Sequence, residues 1–392
     1  MPVPSFRATV AALALGQILV WAALYYGYSS FVLPMMRDLG WSKATLMGAF
    51  TLGLATWGAA TYAVGSLIDR GHGRRVLTGG ALLAGLGLLG WSQVSEPWML
   101  YAVWALLGAT MAMTLYEPAF AILTLREPER YRDGITALTL VGGFASTLSF
   151  PACEWLIAGL GWRMALVVIA VVVLVVVVPL HAWALQGPAI VAGPKKPADE
   201  RADATLHEAL RHPTFWLLTL AFTLYAFASA ALWAHVMPAF ESKGWSSAQA
   251  LSVLVWIGPA QVLGRVVFVA ALRRVPLRAV GLFVLLGMPA ALVLFAMATS
   301  LPLLLAFALL FGLANGLVTL VRGGLVPEYF GRTQIGRIGG AMSSMGLMAR
   351  AAAPLAAAAM LLALSGYRDV MLAMAALGLA AAVAFWLARP PG

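Results

Sequence analysis

Charge is what this chain has least of. Only 10% of its 392 residues are Asp, Glu, Lys or Arg, against about 25% in soluble domains, so too few polar side chains are encoded to cover a water-soluble globule. Cysteine is almost missing: the lone Cys153 forbids an internal disulfide and, within an apolar run, reads as a small core residue. A His-x-x-x-His pair, a Gly-x-Ser-x-Gly elbow and a phosphate loop are missing in usable context, so no metal, no cofactor and no enzyme activity are expected. Short alternating strands are absent too. Only helices or closed barrels satisfy every backbone group inside hydrocarbon, and without strand alternation the barrel loses.

What fills the chain instead is apolar: 62% of residues are hydrophobic, gathered in runs that reach the roughly 20 residues one bilayer crossing takes. Twelve spans are expected, at 8–35, 44–68, 75–94, 97–125, 132–159, 164–186, 215–239, 246–271, 277–298, 301–327, 333–364 and 367–388. They are called spans 1 to 12 below. The fold class is an all-α membrane protein. The N-terminal run lacks a basic leader and a small-residue cleavage site, so it is expected to stay as span 1.

Twelve spans put both termini on one face. Seventeen of the 25 Lys and Arg fall on that face, five (Arg37, Lys43, Arg163, Lys243, Arg368) on the other, and three (Arg265, Arg322, Arg350) inside spans. By the positive-inside rule both termini are expected to be cytoplasmic, in a multi-pass protein of the cell inner (plasma) membrane. The net charge of +10 is thus mostly a topology signal. The bases are scattered over short loops, so no nucleic-acid partner is expected, and the partner is the lipid bilayer.

The chain also repeats itself at an offset near 204 residues: Pro34, Gly40-Trp41-Ser42 and Ala44 match Pro238, Gly244-Trp245-Ser246 and Ala248. Gly161-Trp162-Arg163 answers to Gly366-Tyr367-Arg368, Pro151 to Pro354, and Thr114-Leu115-Tyr116-Glu117 to Thr319-Leu320-Val321-Arg322. A duplicated six-helix unit explains these agreements, giving bundles at 1–186 and 215–392 joined by a hydrophilic cytoplasmic linker at 187–214. Thr205-Leu206-His207-Glu208 has capping-box spacing and predicts a short helix leading into span 7. Gly336 and Gly340 have small-xxx-small spacing for close helix packing, and the Val- and Leu-rich span 6 should face lipid.

After span 2 comes Gly65-Ser66-Leu67-Ile68-Asp69-Arg70-Gly71-His72-Gly73-Arg74-Arg75. This loop resembles the signature of the major facilitator superfamily, with His72 where the family's glycine usually sits. The resemblance implies that fold, two pseudo-symmetric six-helix bundles working by alternating access, and a gating role for Asp69, Arg70 and Arg75 in locking the outward-facing state. Pro34 with Gly40-Trp41-Ser42, Gly161-Trp162-Arg163, and Gly264-Arg265 look like the monocarboxylate carrier and oxalate/formate antiporter branch. There a basic residue of helix 8 engages the substrate carboxylate, which implies that role for Arg265. Gln261 replaces the acidic residue of the animal carriers, and Arg350 is the candidate for the basic residue that oxalate carriers use in helix 11.

Charges inside spans are costly and therefore candidates for function. Glu117, Glu154, His235, Arg265, Arg322 and Arg350 qualify. The planar fork of Arg265 suits bidentate binding of a carboxylate, with a structural role holding carbonyls as the rival. In the superfamily helices 1, 4, 7 and 10 line the central cavity, so Glu117 and Arg322 are expected to face one another, as a proton-coupling pair or a static staple. Arg350 is expected to extend the cationic site or to pair with Glu154. His235 is a candidate proton relay or a plain interfacial histidine. Tyr25, Tyr26, Tyr225, Trp233 and Asn315 sit on the cavity helices and can orient a small ligand. The leading expectation is a monomeric secondary carrier of small organic anions, monocarboxylates above all, by proton symport or exchange against a counter-anion. The alternative is a proton-driven efflux antiporter for drugs or cations.

Overall fold

The computed structural model describes residues 4–188, 203–272 and 274–390. The expected linker therefore lies largely outside the described residues, as does Arg273. The short helix expected before span 7 is present at Leu206–Arg211. Among the described residues every regular element is helical.

Ten helical stretches among the described residues are long and apolar enough to cross a membrane. Two of them, Lys43–Ser92 and Tyr131–Ala184, run to 50 and 54 residues, more than twice what one crossing takes. Each is turned at a glycine in the left-handed region, Gly71 at φ 85° and Gly161 at φ 75°, where a side chain is strained. Each stretch thus makes two crossings, and the total is the expected twelve. Span 2 ends at Leu67 and span 3 begins at Gly73.

The repeated Gly-Trp-Ser is turn chemistry. Gly40 takes φ 68° and ends span 1, its N–H donating to the Met36 carbonyl at 3.1 Å, and Ser42 Oγ then accepts the Thr45 N–H at 3.1 Å to start span 2. In the second copy Gly244 takes φ 80°, and Ser246 and Gln249 form a reciprocal capping box at 3.3 and 3.0 Å. Glycine stops one helix and serine opens the next.

The described residues group into two compact units, one running to Thr205 and including Gly331–Ser344, the other Leu206–Phe330 with the chain from Met345 onward. In the first unit spans 2 and 4 cross at Gly53 and Gly108, where an added Cβ on Gly108 would strike the Gly53 carbonyl. Gly336 and Gly340 lie on the backbone of span 2 at Gly65 and Thr61, the close packing that their spacing predicts. In the second unit Gly312 and Gly316 let span 10 rest on the backbone of Ile257 and Gln261. Span 6 turns one face of its valines outward, Val171, Val172, Val175 and Val176 being exposed, and packs Val173 and Val177 inward. A loop cation closes the end of the third helix in each unit: Arg163 donates to the Ser92 and Val94 carbonyls at 2.8 and 3.0 Å, and Lys243 to those of Ala296 and Ala298 at 2.8 and 3.2 Å. These are the orphan acceptors of a helix C-terminus.

Candidate functional site

Asp69 lies in the loop between spans 2 and 3. Its two carboxylate oxygens accept the N–H groups of Gly336 and Arg337 at 2.8 and 2.9 Å. Those amides belong to the first turn of the helix Ile335–Ala363, whose unpaired donors and positive dipole end favour an anion. The approach is possible because Gly65 and Gly336 both lack a Cβ: either one added would run into the facing backbone. Arg337 Nε also donates to Ser66 Oγ at 3.1 Å. Burial pushes the Asp69 carboxyl up to about 6, against the pull of the two amides and of the Arg337 charge. Arg70 and Arg75 take no part in holding Asp69; both are exposed. The turn is made by Gly71, so His72 needs no left-handed conformation. A second carboxylate, Asp203, binds the turn just before this helix, accepting the Arg332 N–H at 3.1 Å and the Thr333 hydroxyl at 2.6 Å.

Span 4 is broken beside Glu117. Leu115 leaves the helical region at φ −78°, ψ −157°, dividing the span into Pro97–Thr114 and Tyr116–Arg126. The cause is Pro118, which has no N–H for the carbonyl four residues back, that of Thr114. Gln17 of span 1 takes over: its Nε2 donates to the Thr114 and Leu115 carbonyls at 2.8 and 3.3 Å, while its Oε1 accepts the Trp21 indole N–H at 3.1 Å. Glu117 sits half-buried in the first turn of the new helix, where the dipole favours its charge. Broken helices of this kind line the binding sites of many transporters.

Around the break stands an aromatic cluster. Trp21 lies 5.3 Å from Tyr25, 6.0 Å from Tyr26, 5.9 Å from Trp57 and 5.0 Å from Tyr116, ring centre to ring centre. Tyr25 and Tyr26 occupy a π-helical turn, Ala22–Tyr26, and π turns concentrate at functional sites. The Ser149 hydroxyl, from span 5, donates to the Ala22 carbonyl at 2.8 Å. Sequence reasoning named Tyr25, Tyr26 and Glu117 but missed Gln17, Trp21, Trp57 and Tyr116. A lone amide in an apolar span and the Glu117-Pro118 pair were the available signals.

In the second unit Arg265 is 5% exposed and its Nε donates to the Gly316 carbonyl at 2.9 Å, next to Asn315. That bond fixes the guanidinium against span 10. Tyr225 is buried, and its hydroxyl has no hydrogen-bond partner among the described residues; Arg350 lies within electrostatic range of it. His235 bonds through Nε2 to the Pro354 carbonyl at 3.0 Å. Arg322, Arg350, His235 and Asn315 are half-buried, and Glu154 and Trp233 are exposed, so of the six in-span charges only Arg265 is fully buried. Among the described residues no group of His, Cys, Asp or Glu is arranged to hold a metal ion.

Twelve helical crossings, small residues where helices meet and a buried cation within them define a multi-pass membrane protein of transporter architecture. The family model "Major Facilitator Superfamily" matches residues 13–354, and the chain belongs to that superfamily. Over 281 residues it is 28% identical to "Monocarboxylate transporter 13" of Bos taurus and of Rattus norvegicus, a match covering 69% of this chain and 63% of each relative. The match thus spans less than two thirds of those relatives' own length. Among solved structures, the human organic anion transporter MFSD10 (TETRAN) superposes with a TM-score of 0.74 at 18% identity, covering 98% of this chain and 100% of that one. The E. coli fucose:proton symporter gives 0.76 at 14% identity, over 97% of this chain and 98% of its own. At such identities the structural likeness speaks for the fold.

Proposed function

We propose that this chain moves small organic anions, monocarboxylates first among them, across the cell inner membrane by alternating access, coupled to protons or to a counter-anion. The observation that carries the reading is Arg265, a permanent cation buried in span 8 and oriented by its Nε bond to Gly316. A guanidinium in low dielectric is costly to keep and suits a carboxylate. The relatives named as monocarboxylate transporters support the substrate class. In this reading Arg322, Arg350, Tyr25, Tyr26, Tyr225 and Asn315 complete the binding surfaces, Glu117, Glu154 and His235 are the groups available to carry protons, and Asp69, Arg70 and Arg75 gate. The halves are 1–186 and 215–392, the linker 187–214 and both termini are cytoplasmic, and the protein works as a monomer.

Counterflow in proteoliposomes against lactate, pyruvate, oxalate, formate and aromatic acids is the test. Acid exchange that Arg265→Lys abolishes is the expected result, and undiminished exchange in that variant removes Arg265 from the site. A second reading, efflux of amphipathic drugs or cations driven by protons, draws on the cluster of Trp21, Tyr25, Tyr26, Trp57 and Tyr116 beside Glu117. Dye efflux with no response to any acid would put that reading first.

A further inference from the structure

At one end of the first unit, where span 3 begins and spans 4 and 6 finish, lies a cavity of about 540 Å³. Its wall carries Arg70, Arg74, Arg75 and Arg126 and no acidic side chain. The carboxylate of the same loop, Asp69, is engaged by the Gly336 and Arg337 amides, and the charge of Glu127, which acts on its chain neighbour Arg126, comes from outside the wall.

Two of these are held in place. Arg74 Nε donates to the Ala182 carbonyl at 3.1 Å, and Arg126 donates to those of Ala184 and Gln186 at 3.2 and 2.7 Å. The first turn of span 3, Gly73 to Arg75, lies on the same wall, and no side chain caps it. The positive end of that helix's dipole favours an anion. Gly71, at φ 85°, bends the loop so that this turn opens onto the cavity. Thr78 Oγ1 and His72 Nδ1, both on the wall, are closed off from solvent yet have no hydrogen-bond partner. Buried polar atoms in that condition are destabilising until something supplies a partner.

We propose that this cavity is a binding site for a phosphate group, presented either by a phospholipid headgroup or by a soluble phosphate compound. Several separate guanidinium groups and a helix start match an anion with donors wanted on three or four sides, whereas a carboxylate occupies a single fork. Apolar lining residues such as Ile122 and Leu125 cover the less polar part of the ligand. The cavity lies within one unit and involves none of Arg265, Arg322 or Arg350, so it is separate from the substrate site proposed above.

Native mass spectrometry of the full chain, released from detergent, tests this with three probes: phosphatidylglycerol, diacylglycerol as the phosphate-free lipid, and inorganic pyrophosphate. The expected result is retention of one phosphate probe and not of diacylglycerol. Phosphatidylglycerol retained in preference to pyrophosphate identifies a lipid headgroup site, and the reverse order a soluble ligand. Arg126→Gln should weaken the retained probe about tenfold, the loss expected for a charge-assisted hydrogen bond, with Arg126→Lys recovering part of it. Arg74→Gln and Thr78→Val provide the same comparison if Arg126→Gln does not fold. Retention of neither phosphate probe, or equal retention by the unaltered chain and by Arg74→Gln and Thr78→Val, overturns the proposal.

Discussion

The Gln17 side-chain amide donates at 2.8 Å to the Thr114 carbonyl, the group that Pro118 leaves without its helical partner. A defect in one helix is thus satisfied by a side chain of another, and the place where this happens is one turn of chain from Glu117. Gln17→Leu leaves the Thr114 carbonyl buried and unpaired, at a cost of about 1–3 kcal/mol. Pro118→Ala restores an N–H for that carbonyl. The double variant should therefore be more stable than the sum of the two single effects predicts, by about 1 kcal/mol in thermal unfolding of the purified protein. Simple additivity of the two effects would sink this account of the break.

The Asp69 carboxyl has a higher pKa in the folded chain, pushed up to about 6 from an ordinary value of 3.8, because burial outweighs its two amide donors. The sign follows: its contribution to stability is fully present below about pH 4 and is lost as pH rises through 6, a difference of up to about 3 kcal/mol for a shift of this size. Hydrogen exchange at the Gly336 and Arg337 amides, corrected for intrinsic rates, should show protection declining over that interval. In Asp69→Asn the same amides should show no such pH step. A step that persists in the variant would assign the titration to another group.

Gly65 and Gly336 touch backbone to backbone, so Gly65→Ala must push span 2 away from the helix that Asp69 binds. Overpacking of this kind costs about 1–3 kcal/mol. Gly79 is the control, since an added Cβ there meets nothing within 4 Å. Exchange at the Gly336 and Arg337 amides should accelerate in Gly65→Ala and stay unchanged in Gly79→Ala, and equal behaviour of the two would refute the contact's role.

If Glu117 carries the coupling proton, Glu117→Gln removes the titration while keeping the side chain's shape. Uptake driven by a pH gradient should then be lost, and substrate exchange without a gradient should survive. Undiminished proton-driven uptake in the variant would leave Glu117 as a structural charge at the head of a half-helix.

Much of the architecture was legible in the chain. Span 2 was expected at 44–68 and runs Lys43–Leu67, and span 12 was expected at 367–388 and runs Tyr367–Leu387. These boundaries follow from local rules, since lipid demands long apolar helices and glycine and serine mark where one stops and the next starts. The site was legible only in part. Glu154 reads as a costly in-span charge, yet its side chain is exposed, because a span has outward faces that hydropathy along the chain does not distinguish.

The sequence by itself determined the solvent of this protein, its twelve crossings and its superfamily loop, because each is written in composition or in residues a few positions apart. Tertiary structure decided which groups meet across long separations: Gln17 with Thr114, Asp69 with Gly336 and Arg337, Arg265 with Gly316. The physical reason is the same in all three. A helix terminus, a proline or a buried cation creates an unmet hydrogen bond locally, and only packing chooses which distant residue meets it.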